Sequence, residues 1–171
     1  LPNTVTINVI NPGMTAALSG LIRREGSGAI TITKTGLGTL SLGALEAGDS
    51  ITLNLNDGNL SLLNDGNGTG SREVLATGIT LVPTGPVNLT LGRSGTKYAP
   101  LFLTASNKTL QMAAFAMNGP LMITNNVGYG LELTGAATLG ANQLINVSTH
   151  TNSNAIAGLT FSGAVGGSSG I

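Results

Sequence analysis

Seven carboxylates and one histidine are the side chains of this 171-residue chain best suited to acid–base chemistry. General acid–base catalysis needs a pair of titratable groups positioned around a substrate. Most of the acids lie in or beside predicted turns, where a carboxylate is simply solvated; Asp57 and Asp65 are a pair that a sugar-cleaving enzyme could use. His150 lies in a polar run with no nucleophile singled out beside it. We therefore predict that the chain is not an enzyme and has no catalytic residue.

The segment that begins at Asp65 resembles the start of a calcium-binding loop. Asp65 and Asn67 occupy the first two oxygen-ligand positions, but the twelfth position, where such loops carry a bidentate glutamate, is Ala76. A turn built from Asp, Asn and Gly is the preferred interpretation, with calcium bound by Asp65 and Asn67 as the alternative. No other metal and no cofactor is predicted.

The charge content excludes several classes of partner. Lys and Arg together number seven, as do Asp and Glu, and only 8% of the residues are charged, against about 25% in an ordinary soluble domain. Nucleic-acid and polybasic membrane binding both need clustered Lys and Arg, and Arg23-Arg24 is only a short basic spot. No apolar run approaches the ~20 residues of a spanning helix. We expect no nucleic acid and no insertion of this segment into a membrane.

Alternating apolar and polar residues dominate the rest of the chain. Residues 5–9 (VTINV), 51–56 (ITLNLN) and 87–91 (VNLTL) show the period of two that is typical of half-buried strands. Clusters of Gly, Asn, Asp and Pro separate these segments and supply turns. The pattern predicts an all-β protein of about a dozen or more short strands, and we count residues 110–117 as strand or loop.

Short strands and internal echoes favour a solenoid over a sandwich or barrel. The tripeptide at residues 85–87 (GPV) returns as residues 119–121 (GPL), 34 positions later. In a solenoid, successive coils stack and similar motifs recur at similar corners. We predict a parallel β-helix over residues 1–171, a single domain with about seven or eight coils of ~20–25 residues.

Residues 34–42 (KTGLGTLSL), with the preceding alternation from Gly28, resemble the passenger-associated repeat of autotransporters, whose core reads roughly K-T-G-x-G-T-L-x-L. Residues 158–167 resemble the lead-in to a further copy. The resemblance implies a right-handed parallel β-helix in a secreted or cell-surface bacterial protein.

Neither end of the sequence resembles the capping unit that protects a solenoid. We expect the domain to be one unit of a longer solenoid, or to stack head to tail on copies of itself. Its partners are then flanking coils or a second copy, and its function is that of a structural fibre subunit. The alternative is an adhesin passenger fragment that binds glycans or surface ligands through its lateral face. The expected assembly edges are Val5, Ile7 and Val9 at one end and Leu159, Phe161 and Val165 at the other.

Overall fold

The computed structural model describes residues 4–22, 28–45, 50–63, 72–74, 79–92, 109–126, 129–140, 143–149 and 158–167. Within these ranges the secondary structure is strand and turn, with no helix. The strands are β1 (Thr4–Asn8), β2 (Thr15–Ile22), β3 (Ile30–Thr35), β4 (Thr39–Leu45), β5 (Ile51–Leu55), β6 (Gly58–Leu63), β7 (Arg72–Val74), β8 (Ile79–Pro83), β9 (Val87–Gly92), β10 (Thr109–Met112), β11 (Ala114–Met117), β12 (Leu121–Asn125), β13 (Gly130–Leu133), β14 (Ala137–Leu139), β15 (Ile145–Thr149), β16 (Leu159–Phe161) and β17 (Val165–Gly167).

These strands form three parallel sheets, which we number 1 to 3. Sheet 1 has the order β1-β3-β5-β8-β11-β14-β17, sheet 2 the order β15-β12-β9-β6-β4-β2, and sheet 3 the order β16-β13-β10-β7. From β9 onward the chain visits the sheets in a repeating sequence, and each strand pairs with its counterpart from the preceding visit. The all-β prediction is confirmed, and parallel strands in stacked sheets are consistent with a β-helix.

Inward side chains stack in rows, a row being the set of residues paired across successive strands of one sheet. The central row of sheet 1 places Ile32 on Leu53, and Leu53 on Leu81, each no more than 1% exposed. Alternate residues of β3 and β5 are therefore fully buried, which is the burial pattern expected of period-two strands. Leu and Ile fill most of the core because they have no polar groups to satisfy.

Outward side chains form polar rows. In sheet 2 one such row carries mainly hydroxyls and amides: Thr15, Thr39, Asn59, Asn88, Met122 and Asn146. In sheet 1 the hydroxyls of Thr4, Thr31, Thr52 and Thr80 occupy paired positions. In these rows the alternation of the sequence thus separates an aliphatic interior from outward side chains that are mainly polar and uncharged.

The spacing between stacked strands varies more than the sequence suggested. Ile30 pairs with Ile51, 21 residues on, whereas Leu81 pairs with Phe115, 34 residues on. The extra residues lie in the connections rather than in the strands, so the stacking tolerates them. The segment 110–117 forms strands. It contains the last three residues of β10 and all of β11, with Ala113 between the two strands.

Candidate functional site: the terminal strands and a buried lysine corner

The first strand, β1, ends sheet 1 and pairs only with β3 among the strands described. Val5 and Ile7 point inward and are half-buried, although the residue paired with Val5, Ile32, is 1% exposed. Val9 follows the end of β1 and lies in the corner, where its amide donates to the Thr35 carbonyl oxygen at 3.0 Å and its side chain is buried. Two of the three residues expected at this edge therefore belong to the terminal strand itself.

At the opposite end β15 ends sheet 2, β16 ends sheet 3 and β17 ends sheet 1. The residues predicted at this edge lie on β16 and β17. Leu159 and Phe161 are half-buried and pair with core residues of β13. The Phe161 ring meets that of Phe115 edge-to-face, with centroids 6.1 Å apart. Val165 is 52% exposed, although its paired residue Ala137 is 2% exposed.

One core row joins the two predicted edges. It runs from Val5 through Ile32, Leu53, Leu81, Phe115 and Ala137 to Val165. The five inner members are at most 2% exposed, whereas the first is half-buried and the last is half-exposed. Every side chain of this row is therefore apolar, from one end of sheet 1 to the other.

The sequences of the terminal strands lack the usual protection of a sheet edge. Edge strands are commonly blunted by charges, proline or bulges. Neither β1 (TVTIN), β16 (LTF) nor β17 (VGG) contains a charged residue or proline. In contrast, β2, which ends sheet 2, has a register irregularity between Leu18 and Leu21 in its pairing with β4. The strand β7, which ends sheet 3, carries two charged residues, Arg72 and Glu73.

A buried lysine occupies the corner between sheets 1 and 2. Lys34 has no exposed surface, and its ammonium group donates to the carbonyl oxygens of Gly36 at 2.6 Å and Asp57 at 2.9 Å, with a longer contact of 3.4 Å to that of Thr35. Burial lowers the pKa of the Lys34 amine below its ordinary value of 10.5, and the negative charge of Asp57 opposes this shift. Because Gly36 and Asp57 belong to successive corners, the ammonium ties two levels of the stack together.

Glycine is required at these corners. Gly36 and Gly58 have φ values of 78° and 75°, in the left-handed region that L side chains rarely adopt. The amide of Gly58 donates to the Asp57 carboxylate at 2.7 Å, so Asp57 holds a turn. Sequence reasoning missed Lys34, yet the alternation of Ile30 and Ile32 places residue 34 in the inward phase.

Several of the residues considered in the sequence analysis lie outside the described residues: Asp65, Asn67, His150 and Arg23-Arg24. The alternatives of a calcium site at Asp65 and Asn67 and of an Asp57–Asp65 carboxylate pair are therefore not tested by the described segments. Glu132 is buried and accepts a hydrogen bond from the Gln111 side chain at 2.7 Å. In the parts of the chain that are described, no three His, Cys, Asp or Glu residues cluster as a metal site would require. The same segments contain no helix long and apolar enough to cross a bilayer.

Comparison of the chain with protein-family models, with curated proteins and with solved structures gives no match. The features that bear on function are therefore the geometry of the sheets, their ends and their outer faces.

Proposed function

We propose that the chain is a right-handed parallel β-helix of about seven or eight coils that acts as a non-enzymatic structural subunit of an extracellular or cell-surface fibre. Units stack end to end, or on flanking coils of a longer chain, by adding strands to the sheet ends. The observation that supports this most is the core row from Val5 to Val165, which is buried throughout its interior and partly exposed at both ends. The resemblance of residues 34–42 to autotransporter passenger repeats supports the bacterial, extracellular setting.

The free energy of association differs between stacking of free molecules and stacking on flanking coils of the same chain. Covering an exposed Val or Leu contributes about 1.5–3 kcal/mol, and the end strands expose only a few such side chains. Association of two free molecules costs roughly 4–15 kcal/mol in lost translational and rotational freedom. Hydrophobic cover alone is therefore marginal, and the backbone ladder of added parallel strands must contribute as well. Covalent continuity with flanking coils avoids most of the association cost.

Electron microscopy of the purified chain over a concentration series tests end-to-end growth. We expect unbranched fibres with an axial repeat of about 35–40 Å, taking ~4.8 Å for each stacked coil. The variant Val165→Lys places a charge on β17 and should shorten or abolish the fibres. The control Thr138→Lys places the same charge on an exposed position of β14, one strand in from the end, and should leave fibre length unchanged.

Two results would contradict end-to-end growth of the free chain. One is short monomeric rods at every concentration, and the other is fibre growth that Val165→Lys and Thr138→Lys affect equally.

A second candidate function is ligand binding through a lateral face, as in an adhesin passenger. The outer rows of sheets 1 and 2 support it, because they present hydroxyls and amides without charge over several successive strands. A shallow groove at the starts of three strands of sheet 2 gives this candidate a specific location.

A further inference from the structure

A groove runs along the corner where the chain enters sheet 2 at three successive strands. One wall consists of the residues immediately before β9, β12 and β15, namely Pro86, Pro120 and Leu144. Backbone hydrogen bonds connect the successive levels of this wall. The amide of Val87 donates to the Pro120 carbonyl oxygen at 3.2 Å, and the amide of Leu121 donates to the Leu144 carbonyl oxygen at 3.0 Å. We call this the corner groove; its volume is about 140 Å³.

The other wall is part of the outer polar row of sheet 2. Asn88, Met122 and Asn146 are paired across β9, β12 and β15 and face outward. Met122 is the one apolar member of a row that otherwise carries threonine and asparagine, and it is 41% exposed. With Leu144, which is 59% exposed, it gives the groove an apolar surface that the rest of the row lacks.

One polar group of the corner groove, the Asn88 amide, is oriented before any ligand arrives. The Asn88 amide donates to the Asn59 side-chain oxygen at 2.9 Å, which fixes the direction of its remaining donor and its acceptor. Asn146 lies two strands away, roughly 10 Å at the ordinary spacing of a sheet. An apolar platform therefore lies between two amides, and the described residues that line the groove carry no charge.

We propose that the corner groove binds one ring of an uncharged glycan chain, an inference that rests on the second candidate function. A sugar ring has an apolar C–H face and a rim of hydroxyls that donate and accept hydrogen bonds. The first complements Pro120, Met122 and Leu144, and the second complements the amides of Asn88 and Asn146. The groove is smaller than the roughly 300–1,000 Å³ of a site for drug-sized ligands, which suits a single ring.

The groove suits peptides less well. An extended peptide that adds to a sheet needs an unpaired strand edge. β9 and β12 are paired on both sides, and the side of β15 that is unpaired among the described strands faces away from β9 and β12 and so away from the groove between them. A proline-rich peptide docks into aromatic-lined grooves, and the lining of the corner groove contains no aromatic side chain. An acidic glycan is disfavoured because none of the described residues that line the groove is a cation that could pair with it.

Binding of one ring is expected to be in the millimolar range, because few contacts form. The test titrates the purified chain with neutral hexasaccharides (maltohexaose, cellohexaose and chitohexaose) and with a hyaluronan hexasaccharide as the charged comparison, followed by NMR. We expect at least one neutral probe to bind and hyaluronan not to bind. Asn146→Ala and Met122→Ala should each weaken binding about two- to tenfold.

Two further variants separate the groove from the rest of the face. Thr124→Ala changes an outward residue of β12 in the neighbouring row and should leave binding unchanged. Met122→Trp adds an aromatic surface and should strengthen binding, a gain that loss of folding cannot imitate. Binding that Asn146→Ala, Met122→Ala and Thr124→Ala leave unaltered overturns the corner groove while a lateral glycan face survives. Binding of no neutral probe, or of hyaluronan alone, overturns both.

Discussion

Replacing Lys34 with methionine tests whether the buried ammonium holds together the two corners that follow β3 and β5. Methionine keeps most of the length of the side chain and its apolar stem but cannot donate a hydrogen bond. In Lys34→Met the carbonyl oxygens of Gly36 and Asp57 lose the donors that lie 2.6 and 2.9 Å away. The Thr35 oxygen keeps the backbone amide of Val9 as a partner.

The magnitude follows from two opposing effects. An unsatisfied buried polar group costs about 1–3 kcal/mol, so two carbonyls give roughly 2–6 kcal/mol of destabilisation. Removing the buried charge offsets part of this destabilisation, because the ammonium no longer has to be taken out of water when the chain folds. We expect the free energy of unfolding to fall by about 2–4 kcal/mol, measured by urea denaturation.

Leu55→Met is the matched control. Leu55 is paired with Lys34 in the next strand and is equally buried, so both variants place a methionine in the same row. A leucine-to-methionine exchange in a core usually costs less than about 1.5 kcal/mol. If Lys34→Met is as stable as the parent protein, or no less stable than Leu55→Met, the ammonium does not hold the corner and the reasoning is refuted.

The pH dependence of stability gives an independent check on Lys34. The pKa of this amine is lower in the folded protein than its ordinary value of 10.5, so between the two values the unfolded chain binds the additional proton. The free energy of unfolding therefore rises as the pH increases through this window and levels off above about pH 10.5. Lys34→Met should lack this rise, which urea titrations in alkaline buffers would detect.

Two further predictions concern a corner glycine and the terminal coil. Gly58→Ala should destabilise the fold by about 2 kcal/mol, because φ is 75° and a Cβ would lie 2.5 Å from the Gly36 carbonyl oxygen. The control is Gly20→Ala, where an added Cβ meets no atom within 4 Å. Equal losses of stability in urea denaturation would refute the prediction. Phe115→Ala should lower the free energy of unfolding by about 3–5 kcal/mol. Phe161→Ala should lower it clearly less, because Phe161 is only half-buried. Equal losses in the same assay would mean that the terminal strand is as well covered as the core.

Much of the fold was predictable because its signal is local. The alternation in residues 51–56 and 87–91 predicts strands with one buried face, and both segments form such strands as β5 and β9. The echo of Gly85-Pro86 at Gly119-Pro120 indicated equivalent corners, and the strands that follow them do pair, with Val87 opposite Leu121. Period two and turn chemistry depend only on neighbours in sequence, so they can be read without a structure.

The sequence by itself therefore determined an all-β chain with alternating aliphatic and polar residues, few charges and no net charge. Tertiary structure alone decided which strands meet, since paired residues lie 21 positions apart at Ile30 and 34 apart at Leu81. It also decided that Lys34 is buried against the Asp57 carbonyl and that Pro86, Pro120 and Leu144 share one groove. The physical reason is that stacking depends on the lengths of the connections and on burial against distant residues, and neither leaves a periodic trace in the local sequence.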